Sequence, residues 1–152
     1  MITWKEVIHF SVNGNPTPTR RVEKTDEEWS AILTPEQFRI TRLKGTERPH
    51  TGQLCSIFDE GIYQCICCDT DLFDSTIKFD SSSGWPSFTQ PIKENAIKYK
   101  KDETLGMIRV EVMCNTCDGH LGHIFPDGPE PSGLRYCINS ESMKLKKGIT
   151  NE

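Results

Sequence analysis

No stretch of the chain approaches the roughly 18 apolar residues needed to span a bilayer. Its opening, MITWKEVIHF, also lacks the basic start and apolar run of a secretory leader. A soluble, cytoplasmic protein without membrane contact is therefore expected. Positive charge is not in excess, with 18 Lys plus Arg against 22 Asp plus Glu and a formal net charge of -4, so a nucleic-acid binder relying on overall charge is disfavoured. There is no internal repeat of solenoid length and no low-complexity tract. What is present is enough chain, 152 residues with 35% hydrophobic, for one core. Cysteine is plentiful, and its count of 7 is odd, so the thiols cannot all pair within the chain. In a reducing compartment such a set points to metal binding or thiol chemistry.

Residues 1–24 read as an N-terminal appendage, with WKEVIHFSV as an edge strand followed by a loop at Asn13-Gly14-Asn15-Pro16-Thr17-Pro18-Thr19. A single domain is expected over 25–150. It begins with two short helices, one capped by Thr25 and leading to Trp29, Ile32 and Leu33. The second starts at Thr34-Pro35 and carries Phe38, Ile40 and Leu43. Beyond Gly52 the chain is mainly β, with strands at 61–65, 72–73, 77–79, 96–99, 107–112 and 134–138 separated by Gly- and Pro-rich turns.

Cys65 and Cys68 form one C-x2-C step, and Cys114 and Cys117 form another. Two such knuckles can offer four thiolates to one tetrahedral Zn2+, a closed structural site that leaves no position for activating water. A redox dithiol or unligated buried thiols are the alternatives, and the paired knuckles in a β context favour the metal. Of the remaining cysteines, Cys137 shares a strand face with Arg135 and Asn139. It is either a nucleophile, with Arg135 favouring the thiolate, or a buried core thiol. His120 and His123 follow the second knuckle in Gly119-His120-Leu121-Gly122-His123, which reads as a loop presenting imidazoles. With four cysteines filling the metal shell, a catalytic or substrate-binding role is expected for them rather than ligation. Trp85, between Gly84 and Pro86, is expected to wall a small apolar pocket.

These residues, with Gly45-Thr46-Glu47, Lys78-Phe79-Asp80, Gly84-Trp85-Pro86-Ser87-Phe88, Phe125-Pro126-Asp127-Gly128-Pro129 and Gly133-Leu134-Arg135-Tyr136-Cys137-Ile138-Asn139-Ser140, resemble the methionine-R-sulfoxide reductases of B type from about Thr25 to about Lys147. The resemblance implies two antiparallel β-sheets with short N-terminal helices, and one zinc held by the four cysteines away from the active site. It also implies repair of oxidised methionine residues in proteins. Cys137 would attack the sulfoxide sulfur and be left as a sulfenic acid, aided by His120, His123, Asn139 and Arg135, with Trp85 and Phe125 holding the S-methyl group.

One position departs from the family. Many relatives carry a second cysteine just before Gly-Trp-Pro-Ser-Phe that resolves the sulfenic acid for reduction by thioredoxin; here it is Ser83. A hydroxyl cannot form that disulfide. Cys55 is then the first resolving candidate and Cys67, inside the knuckle, the second; the other route is direct reduction by thioredoxin or a small thiol. The rival class is a non-catalytic zinc-stabilised β module that binds protein partners.

Overall fold

Three threonines start three helices. Thr3, Thr25 and Thr34 each accept a hydrogen bond from the backbone N–H three residues on, and the side chains of Glu6, Glu28 and Gln37 each accept one from the cap backbone, the reciprocal capping box. The helices are α1 (Trp4–Asn13), α2 (Asp26–Ile32) and α3 (Pro35–Arg42). The computed structural model describes residues 1–103 and 109–147.

Helix α1 corrects the edge-strand expectation for residues 4–12. Trp4, Val7 and Phe10 alternate with polar residues over a short window, but they also share one helical face, and Thr3-x-x-Glu6 decides for the helix. Val7 and Ile2 are buried in the core, and Phe10 stacks on Tyr99 at 5.7 Å. The loop that follows lies along the outer strand: the Asn15 carboxamide donates to the Tyr99 carbonyl and accepts from its N–H, at 3.0 and 2.7 Å. The segment thereby satisfies backbone groups that an open sheet edge would expose.

The β elements are β1 (Gly61–Cys65), β2 (Asp71–Asp74), β3 (Lys78–Phe79), β4 (Ser87–Phe88), β5 (Ile97–Asp102), β6 (Arg109–Cys114), β7 (His120–Phe125), β8 (Arg135–Ile138) and β9 (Met143–Lys147). They form two antiparallel sheets, β2-β1-β9 and β3-β4-β8-β7-β6-β5. Aromatic rings join them: Phe73 of the smaller sheet stacks on Phe88 of the larger at 4.3 Å and meets Tyr136 edge-on at 5.6 Å. Of the strand expected over 107–112, Met107 and Ile108 lie outside the described residues, as do 148–150 of the expected domain. Ile77 closes a 3-10 turn instead of opening β3.

The segment expected to be a loop at His120–His123 is strand β7. Gly122 is not a breaker there. It sits where β7 crosses the Cys137 carbonyl so closely that a Cβ would lie 2.0 Å from that oxygen, so the glycine serves close approach within a strand. Its register sets His123 directly opposite Cys137.

Candidate active site

Strands β7 and β8 bring their chemistry-bearing residues to one cavity of about 240 Å³. Cys137, Arg135 and Asn139 enter it from β8 and the residue beyond, and His120, His123 and Phe125 from β7. Trp85 and Ser83 come from the turn before β4. All the expected catalytic and substrate residues apart from Cys55 therefore line the same space.

Each histidine is held by a carboxylate that sequence reading missed. His120 Nδ1 lies 2.7 Å from Glu111 Oε2, both side chains being buried. His123 Nε2 lies 2.9 Å from Asp102 Oδ2, which Arg109 also approaches at 3.5 Å. Burial pushes the Glu111 carboxyl upward, but the hydrogen bond and charge of His120 and the charge of Lys44 outweigh it, so it stays below its ordinary value. A carboxylate accepting from Nδ1 sets the His120 tautomer and leaves Nε2 for other chemistry. Burial lowers His123 below its ordinary value, opposed by the Asp102 hydrogen bond and reinforced by Arg109 and His120. The signal for Glu111 was a charged residue between Val110 and Val112 on a buried strand.

Asn139 is buried and held on both sides: its Oδ1 accepts from the Glu47 N–H and its Nδ2 donates to the Leu121 carbonyl, each at 3.0 Å. One amide hydrogen remains. The Glu47 carbonyl in turn accepts from the Trp85 indole at 3.0 Å, so one residue's backbone locks two walls of the cavity. Arg135 makes a forked pair with Asp127, at 2.8 and 3.2 Å, and lies over the Phe125 ring at 4.5 Å. Burial pushes the Cys137 thiol up; the nearby Arg135 charge counters it, and Glu47 adds to it. The net direction is upward.

The four knuckle cysteines form a separate cluster, with all sulfurs within 4.8 Å of one another and no histidine among them. Both knuckles turn the same way. Asp69 and Asp118 each adopt φ 65 and return their N–H to the Cys65 and Cys114 carbonyls at 2.9 and 2.8 Å; aspartate tolerates this left-handed conformation. Cys65 and Cys117 sulfurs are 3.7 Å apart, and those of Cys68 and Cys114 3.6 Å. A tetrahedral Zn2+ with about 2.3 Å bonds requires sulfurs about 3.8 Å apart, so the donor set fits that ion. Cys67 is buried against the cluster. Cys55 lines a different cavity of about 400 Å³, with Trp85 shared between the two; the structure does not bring Cys55 and Cys137 together.

Fold and site define a thiol-centred oxidoreductase with a metal-competent cysteine cluster apart from the reactive cavity. The SelR domain model matches residues 33–147. A Pseudomonas entomophila protein named peptide methionine sulfoxide reductase MsrB is 58% identical over 127 residues, covering 84% of this chain and 97% of that protein. A Saccharophagus degradans protein of the same name is 58% identical over 125 residues, 82% and 93% of the two chains. The chain belongs to this family, the methionine-R-sulfoxide reductases of B type. No helix among the described residues is long and apolar enough to cross a membrane.

Glu111→Gln is expected to lower single-turnover rates by about tenfold or more, since general acid–base assistance depends on a positioned imidazole. Stopped-flow measurement on the R sulfoxide checks this, and an unchanged rate would remove the His120–Glu111 pair from the chemistry.

Proposed function

We propose that the protein reduces the R epimer of methionine sulfoxide, in oxidised proteins and as the free amino acid, with Cys137 as nucleophile and residues 25–150 as the catalytic unit. Residues 1–24 cover the β5 edge. The observation that carries this is the convergence on one cavity of Cys137, two carboxylate-paired histidines, the held Asn139 and the Trp85 wall. Thiolate attack at the sulfoxide sulfur transfers its oxygen to Cys137. The thiol is oxidised by two electrons to a sulfenic acid, and the sulfoxide is reduced by the same two electrons to the thioether of methionine. Charge developing on that oxygen is met by His120, His123 and the spare Asn139 amide hydrogen. Trp85 and Phe125 supply the apolar surface for the S-methyl group, and Arg135 favours the thiolate.

Cys65, Cys68, Cys114 and Cys117 would hold Zn2+, which supplies folding free energy by tying β1 of the smaller sheet to β6 of the larger. Thioredoxin or a small thiol would restore Cys137 in the cytoplasm. Two routes differ in where the second thiol comes from. Cys55 resolves the sulfenic acid if the loop carrying it moves past Trp85; the separate cavities favour direct attack by the external thiol.

Assay on separated R and S epimers, with thioredoxin and with dithiothreitol, is expected to give reduction of R alone. No reduction of R by either reductant in zinc-loaded protein would reject the function. Mass spectrometry after one turnover without reductant decides recycling: a Cys55–Cys137 disulfide supports Cys55, and a persistent Cys137 sulfenic acid excludes it.

A further inference from the structure

Residues 15–22 form neither helix nor strand, and they precede the residues 33–147 that the SelR model matches. Side chains flanking β5 and β6 hold the backbone of this segment in place. The Asn115 carboxamide donates to the Pro16 carbonyl at 2.9 Å, and that of Asn95 donates to the Thr17 carbonyl and the Thr19 hydroxyl at 3.1 and 3.2 Å. Pro16 and Pro18 fix φ, which limits the other conformations open to the stretch.

The segment then reaches both cysteine knuckles with consecutive residues. Arg20 Nη2 donates to the Cys68 carbonyl at 2.7 Å and to the Thr70 hydroxyl at 3.2 Å. Arg21 donates to the Asn115 carbonyl at 3.1 Å and makes a forked pair with Asp118 at 2.9 and 2.8 Å. The Val22 N–H donates to the Thr116 carbonyl at 2.9 Å. The Arg20 bonds fall on the Cys65-x2-Cys68 knuckle and the others on Cys114-x2-Cys117, so one short stretch bridges two turns that end strands of different sheets. The Thr70 hydroxyl that accepts from Arg20 lies 3.0 Å from Cys68 Sγ; a thiolate has no proton to give, so Thr70 is the donor to it. On the other knuckle Arg42 of α3 donates to the Cys117 carbonyl at 2.8 Å and towards its sulfur at 3.6 Å, its guanidinium lying over the Trp29 ring at 4.4 Å. The last cysteine of each knuckle thus has a donor aimed at its sulfur.

We propose that residues 15–22 are a strap that retains the metal, with Arg20 and Arg21 as positioning residues that keep the two knuckles from parting. This rests on the four-thiolate reading of Cys65, Cys68, Cys114 and Cys117. Freeing an ion from a closed site requires a ligand to swing away, and the last ligand of each knuckle sits on a turn that the strap holds from outside. Arg20 and Arg21 are exposed, and a single surface pair contributes little. Here each side chain grips its knuckle through a backbone carbonyl and a second group, and the two are adjacent in the chain, so the bonds act together.

Release of zinc from the loaded full chain to excess pyridylazoresorcinol, followed by absorbance well below the melting transition, reads the strap directly. Arg20→Ala and Arg21→Ala are each expected to release zinc faster than wild type, and the two together about tenfold faster or more. Asp118→Asn keeps a side chain suited to the φ 65 turn and is expected to match Arg21→Ala. Combining it with Arg21→Ala should add little, because each removes the same pair. Leu134→Ala, a core truncation just before β8, is expected to lower the melting temperature while releasing zinc at the wild-type rate. The strap is overturned by wild-type release from the Arg20→Ala, Arg21→Ala protein, or by fully additive effects of Arg21→Ala and Asp118→Asn. Equal acceleration in Leu134→Ala would overturn it too, since release would then report overall stability. Wild type that binds no zinc would instead reject the four-thiolate reading itself.

Discussion

Cys137→Ser is expected to lose about a thousandfold or more in turnover on the R sulfoxide, with thioredoxin and with dithiothreitol alike. A hydroxyl at this position has neither the acidity nor the nucleophilicity of a thiol, and among the described residues no other cysteine lines the cavity. The loss should be confined to chemistry. Zinc content and melting temperature should match wild type, because the half-buried Cys137 stands outside the knuckle cluster. Retention of more than a few per cent of activity by a folded Cys137→Ser protein would transfer the reaction to another group.

The second large effect concerns the metal. One zinc per chain is expected by elemental analysis, and Cys114→Ser or prolonged chelation should release it. The two knuckles end strands of different sheets, β1 at Cys65 and β6 at Cys114. An ion bound there would therefore add a tie between sheets that otherwise meet through side-chain packing. Structural zinc contributes on the order of 10 kcal/mol in small zinc peptides. Even a third of that would lower the melting temperature by about 10 °C in a chain of this size. Scanning calorimetry with and without chelator reads the shift. A Cys114→Ser protein that retains its zinc and melts within about 2 °C of wild type would refute the four-thiolate site.

Much of this was legible in the sequence because it is local. Capping boxes at Thr25 and Thr34, knuckle spacing at Cys65-x2-Cys68 and Cys114-x2-Cys117, and the same-face spacing of Arg135, Cys137 and Asn139 all depend on residues within four positions of one another. The larger differences fall where one local pattern has two physical solutions. Trp4, Val7 and Phe10 suit a strand or a helix until Thr3 and Glu6 are counted, and Gly122 reads as a breaker until the neighbouring strand's carbonyl is in place.

By itself, then, the sequence determined the mainly β class, the two knuckles and the family, with Cys137 as the nucleophile that the resemblance implies. Only the tertiary structure decided which groups gather around Cys137. Glu111 and Asp102 reach the histidines through strand register across β5, β6 and β7. Glu47 reaches Asn139 and Trp85 from a loop some 90 residues away from Asn139. Cys55, uncommitted in sequence, is set apart by the Trp85 side chain. Hydrogen bonds and charge act over a few ångströms of space regardless of chain separation, and that distance is what folding creates.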